Sequence, residues 1–217
     1  MKAPDTGHFD PQRPTADLLL WSYRRGIFPM ADLSVDRIDW YSPDPRGVIP
    51  LGSFRVRKSL QRIVKRGDFE IRSDCAFEQV IRACGDPRGS DWINDRLIRA
   101  YCELNEIGCA HSVEAWRNDQ LVGGLYGVQI GGAYFGESMF SRPRAGGTNA
   151  SKVCLVHLVR WLRHRKFTLL DTQYWSRHLN QFGCIEISRE EYLSALQKAV
   201  NQPVTWGHLH PLGCEDV

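Results

Sequence analysis

The stretch LVGGLYGVQIGGAYFGESMFS, residues 121–141, decides the fold class. Two runs rich in Leu, Val, Ile, Tyr and Phe flank Gly131-Gly132, as in paired strands joined by a tight turn. A strand facing a core needs an apolar inward side, yet Glu137 stands among these residues. Such a carboxylate is either a solvated edge residue or a charge placed in a pocket.

Upstream of this hairpin, ADLLLWSYRRG reads as a short helix ending at Gly26. RKSLQRIVKR reads as a basic helix and DFEIRS as a strand. Ser73 is placed to cap the helix in DCAFEQVIRAC. NDRLIRAYCELNEI is a helix stopping at Gly108, and CAHSVEAW a strand turned by RNDQ. Downstream, RPRAGGTN is a loop and ASKVCLVHLVRWLRHRK a helix with a broad apolar face. FTLLDTQY and CIEIS are strands on either side of the short helix SRHLNQF. Ser188 and Glu191 form a capping box for the last helix. A helix-rich start, a meander and then alternating helices and strands predict an α+β (mixed α/β) fold. Residues 1–52 read as a small N-terminal lobe with a loose Pro-rich start over 1–14, and 53–217 as the main domain.

The hydrophobic share of 42% and charged share of 24% place the 217 residues among globular proteins and against disordered ones. No apolar run reaches the length of a membrane span. The start, MKAPDTGHFDPQRP, lacks a signal core, so the expected compartment is the cytoplasm. Seven scattered cysteines with no CxxC suggest neither a disulfide frame nor zinc. His111, His157 and His178 are likewise scattered and read as structural, so no metal is expected. A net charge of +3 does not by itself imply nucleic acid, but cations concentrate in RVRKSLQRIVKR (55–66) and RWLRHRK (160–166). The first, with Lys58, Arg62 and Lys65, reads as a phosphate track. The second equally suits the C-terminal end of a helix dipole.

In FTLLDTQY the apolar run breaks at Asp171. Alternation along a strand puts Asp171 and Gln173 on one face, roughly 7 Å apart. Polar groups at a strand's end often belong to a site, although a strand simply reaching water looks the same. There is no G-x-S-x-G elbow, Walker A loop or G-x-G-x-x-G. RPRAGGTNASK, a Gly-rich loop entering a helix, suits a phosphate cradle or a plain connector.

The motifs YRRGIFPM, WYSPDPRGVI, DWI, AHSVEAW, LVGGLYGV, GESMFS, NASK, LLDTQ, HL and GCIEISREEYL fall in one order between Leu18 and Leu196. Together they resemble the leucyl/phenylalanyl-tRNA–protein transferase family. The resemblance implies an N-terminal lobe on a C-terminal domain with the acetyltransferase-like (GNAT) fold, and no metal or organic cofactor. It implies transfer of Leu, Phe or, less well, Met from aminoacyl-tRNA to an N-terminal Arg or Lys, marking the acceptor for degradation. By correspondence, Gln173 hydrogen-bonds near the reacting amine and carbonyl, Asp171 orients it and draws off proton charge, and Glu137 recognises the cationic acceptor. Leu125, Tyr134, Leu158 and Leu170 line the donor pocket. Trp92 stacks on the terminal adenine, beside Met30 where the family often carries an aromatic residue. Two further departures are the long RPRAGGTN loop and Tyr134 in place of Phe. A monomer is expected. The competing readings are an acetyl-CoA-dependent N-acetyltransferase, which needs an R/Q-x-x-G-x-G/A turn, and a non-catalytic tRNA- or degron-binding module.

Overall fold

The computed structural model describes residues 10–85 and 92–207. The expected loose start and the tail after Val200 lie in part outside these residues.

The chain begins with α1 (Ala16–Tyr23), capped by Thr15, whose side chain accepts from Leu18 N. A two-stranded ribbon follows, β1 (Phe28–Asp32) against β2 (Arg37–Tyr41). β3 (Arg46–Val48) then joins the main sheet. After a one-turn 3-10 helix at Leu51–Ser53 come α2 (Lys58–Arg66), β4 (Glu70–Ser73), α3 (Phe77–Cys84) and α4 (Asp95–Glu106). The meander β5 (Ala110–Arg117), β6 (Gln120–Ile130) and β7 (Ala133–Ser141) leads through the 142–149 loop to α5 (Ala150–His164). β8 (Leu169–Gln173), α6 (Arg177–Asn180), β9 (Ile185–Ile187) and α7 (Arg189–Val200) complete the described elements.

The seven-stranded sheet has the order β4-β5-β6-β7-β8-β3-β9. Its pairs are antiparallel except β7 with β8, which α5 joins as a crossover. This is the mixed α/β layout that the order of elements predicts. One face carries a core with Leu19 and Tyr23 of α1, Phe77 and Val80 of α3, Tyr101 of α4 and Tyr192 of α7. The other carries α5 and α2, with Val153, Leu158, Leu60 and Val64 buried. Cover on both sides explains why β6 is buried at every position after Gln120 and shows no alternation. Gly123 lets α5 approach it closely, since a Cβ there would lie 2.4 Å from the Cβ of Ala150.

Two local expectations change. Ser73 does not cap α3; it ends β4 and its hydroxyl donates to Ser112 O at 2.8 Å. The free amide of Ala76 is met by Glu114 from β5, at 2.8 Å. That fully buried carboxylate also accepts from the Ser112 hydroxyl and the Trp116 indole. The second cationic stretch ends α5, where Arg163 and His164 occupy the last turn and, with Lys166, remain exposed. Arg160 is buried, Arg163 donates to Leu51 O and Arg165 to Thr205. The capping box at Ser188 and Glu191 forms as read.

Candidate active site

β7 and β8 pair only over Ala133–Phe135 against Leu169–Asp171. Beyond that the two strands part, and the wedge between them opens a cavity of about 240 Å³. Its apolar wall comes from Leu125 of β6, Met139 of β7, Leu155 and Leu158 of α5, Leu170 of β8, and Leu179. Glu137, Gln173, Ser176 and His178 supply polar groups. The volume falls below the 300–1,000 Å³ or so of pockets for drug-sized ligands, and so suits a side chain better than a nucleotide.

A β-bulge brings Glu137 there. Tyr126 pairs with Ser138 and Gly127 with Gly136, so Glu137 is the extra residue. Bulges re-aim side chains in this way. Its Oε1 accepts from Gln173 Nε2 at 3.0 Å and its Oε2 from Tyr101 Oη at 3.1 Å. Tyr101 in turn lies 2.6 Å from the hydroxyl of the buried Tyr23. Burial pushes the Glu137 carboxyl up to about 7, against the lowering effect of the tyrosine hydroxyls.

Gln173 reaches Glu137 through an unusual backbone. Its φ is 58°, and Tyr174 N donates to Thr172 O at 2.6 Å, closing a three-residue turn. Such a turn with positive φ is rare, and its left-handed backbone costs on the order of 1–3 kcal/mol in a non-glycine residue. Asp171 supports it from behind, its Oδ1 accepting from Gln173 N at 2.8 Å. Asp171 itself is fully buried. Arg46 grips it with Nε and Nη2 at 2.9 and 2.7 Å, and Tyr192 Oη donates to Oδ2 at 2.7 Å. Asp171 therefore orients Gln173 from below the site, with both oxygens already engaged. It does not line the cavity.

Of the pocket residues expected from sequence, Leu125, Leu158 and Leu170 come together in the cavity wall. Tyr134 does not join them. Its ring stacks on Trp206, and its hydroxyl donates to His111 O at 3.0 Å. Buried neutral, it turns that hydroxyl toward a backbone acceptor because an unpaired one is costly. The bond from Ala31 N to Trp92 O joins the backbone next to Met30 to that of Trp92, and both side chains are partly buried against the core. Lys58, Arg62 and Lys65 are exposed along one side of α2, apart from the cavity.

Of the scattered histidines, His111 bonds Asp74 and stacks on Trp206. Burial and Arg160 hold the His157 imidazole down to about 4. His178 lines the cavity, where burial and then Lys152 keep it below its ordinary value and hence neutral near pH 7. Among the described residues, no three His, Cys, Asp or Glu side chains converge for a metal ion. Sequence reading missed Tyr23, Tyr101, Arg46, Tyr192 and His178. Of these, Tyr23, Arg46, His178 and Tyr192 stood inside the motifs YRRGIFPM, WYSPDPRGVI, HL and GCIEISREEYL without being singled out for the site, and only Tyr101 carried no signal.

Residues 48–197 match the sequence profile described as leucyl/phenylalanyl-tRNA protein transferase, and residues 12–44 that of its N-terminal domain. The chain is 53% identical over 190 residues to the leucyl/phenylalanyl-tRNA–protein transferase of Paramagnetospirillum magneticum, covering 86% of this chain and 89% of that one. The protein of the same name from Salinibacter ruber is 48% identical over 196 residues, covering 90% and 84%. That from Gloeobacter violaceus is 50% identical over 189 residues, covering 87% and 95%. Among solved structures, a ribosomal-protein-alanine N-acetyltransferase from Brucella melitensis is similar at 14% identity and a TM-score of 0.39, covering 52% of this chain and 84% of that one. L-PGS from Bacillus licheniformis is similar at 10% identity and a TM-score of 0.41, covering 74% and 54%.

Proposed function

Because the chain belongs to the leucyl/phenylalanyl-tRNA protein transferase family, we propose that it moves Leu or Phe, and Met less well, from aminoacyl-tRNA onto proteins whose first residue is Arg or Lys. The product is thereby marked for degradation in the cytoplasm. The donor is an ester and already activated, so no enzyme nucleophile is required. The acceptor's α-amine must lose a proton to attack, and the carbonyl then passes through a tetrahedral oxyanion. Positioning, proton handling and charge stabilisation remain for the protein.

One observation carries this reading: a carboxylate, Glu137, sits in the wall of an apolar recess with the amide of Gln173 bonded to it. The half-buried Glu137 carboxylate is short of water, and the acceptor's cationic side chain supplies the missing counter-charge. A neutral side chain would leave it unpaired. A carboxyl lifted to about 7 is also matched to proton transfer near neutral pH. Gln173 Nε2 carries two protons. One goes to Glu137, and the second is available to the carbonyl oxygen as charge develops. A neutral amide is a poor base, so its part is electrostatic. The donor's apolar side chain fills the recess among Leu125, Leu158 and Leu170. Trp92 with Met30 offers a platform for the terminal adenine, and Lys58, Arg62 and Lys65 hold phosphates without reading bases. Glu137, Asp171 and Gln173 all come from one chain, so a monomer suffices. No described helix is long and apolar enough to cross a membrane.

The test is transfer from a panel of charged tRNAs onto peptides differing only in their first residue. Product with Leu- or Phe-tRNA and Arg- or Lys-starting peptides is expected. Indifference to the first residue removes Glu137 as the recogniser of charge, and absence of any product removes the activity.

A further inference from the structure

An uninterrupted β8 would place Gln173 on the face of Asp171, away from the cavity that Leu170 lines. The three-residue turn at φ 58° brings it round to Glu137 instead. An L residue holds such a backbone only where its surroundings over-determine it, and here they do so from three distant parts of the chain. The Arg46 guanidinium, 0% exposed, spends Nε and Nη2 on Asp171 and gives Nη1 to Gly26 O at 2.8 Å. It lies between two rings, its Cζ 4.8 Å from the centre of Phe28 and 4.5 Å from that of Tyr192. The Tyr192 hydroxyl fills the remaining place on Asp171 Oδ2. Next to Arg46, Gly47 presses on the far side of the turn, where a Cβ would lie 2.5 Å from the carbonyl carbon of Tyr174.

We propose that Arg46 and Tyr192 are positioning residues for the transfer. Through Asp171 they hold the Gln173 amide against Glu137, and so make docking of the Gly26–Phe28 segment a condition of turnover. This rests on the role given to Gln173 above. Neither residue lines the cavity, so neither contributes to seating the donor side chain.

Removing Arg46 outright would strand a buried carboxylate and risks loss of the fold. Tyr192→Phe is the milder probe, deleting one hydroxyl while the ring stays on the guanidinium. In purified full-length protein, kcat for transfer from charged tRNA should fall roughly tenfold, the value of one hydrogen bond to a charged group. KM for the charged tRNA should not change. Arg46→Lys, which keeps the charge but loses the fork, should fall further with the same split. In a Gln173→Ala background, Tyr192→Phe should cause no further loss, because the group it positions is gone. Wild-type kcat in a folded Tyr192→Phe protein overturns the proposal alone. So does a tenfold loss that persists undiminished in the Gln173→Ala background. Full turnover by Gln173→Ala itself overturns the reading of Gln173 and the proposal with it.

Discussion

Glu137→Gln tests the charged recess without any substrate. Unfolded, the Glu137 carboxyl titrates at its ordinary 4.5; folded, burial lifts it to about 7. The folded protein therefore binds the proton more tightly, and the stability this gives is fully present below pH 4.5. It is lost as pH rises through 7, where ionisation leaves a charge short of solvent. At about 1.4 kcal/mol per tenfold change in proton affinity, the whole interval is worth about 3 kcal/mol, reduced toward 2 by water entering the cavity. Glutamine keeps the shape and can accept from Gln173, but it does not titrate. Urea unfolding of both proteins from pH 4 to 8 reads the effect, because groups common to both cancel in the difference. Wild type should lose about 2–3 kcal/mol relative to Glu137→Gln across that range. An Arg-starting peptide should bind wild type more tightly as pH rises through 7 and should bind the variant with little pH dependence. Parallel stability curves would refute the reasoning, since Glu137 would then be solvated and its recess not a charged one.

Replacing Lys58, Arg62 and Lys65 by Gln should flatten the log–log salt dependence of tRNA binding by about 2 to 3, and an unchanged slope would put the phosphate track elsewhere. Leu158→Ala, at a side chain only 1% exposed, should cost about 2–5 kcal/mol in denaturant unfolding and raise KM for Leu-tRNA, the donor left with least contact. Glu114→Ala strands the amide of Ala76, the Ser112 hydroxyl and the Trp116 indole. It should lower stability by at least about 2 kcal/mol without altering donor preference.

Local signals were legible where a few neighbouring residues settle the structure. The β6–β7 hairpin, the capping box at Ser188 and the helix spanned by α5 all follow from pattern and turn chemistry. The site was legible in its parts but not in its arrangement. Alternation put Gln173 beside Asp171, whereas a single turn separates their roles, and nothing in LLDTQ announces a positive φ. The bulge that aims Glu137 is one unpaired residue, invisible to a period of two. Ser73 looked like a cap because the true partner, Glu114, arrives from a strand 38 positions away. RWLRHRK suited a phosphate contact and a helix dipole equally, because sequence does not reveal that Arg160 is buried while Arg163 and His164 end α5. Tyr134 looked like a pocket residue until its hydroxyl found a backbone carbonyl.

The ion pair between Arg46 and Asp171 spans 125 positions, and Tyr192 lies 21 further on. Contacts so far apart form late, after long loops have closed. During synthesis, then, a nascent chain still tethered before α7 has emerged would lack part of its machinery even with the recess built. A copy halted there holds Asp171 through Arg46, without the Tyr192 hydroxyl.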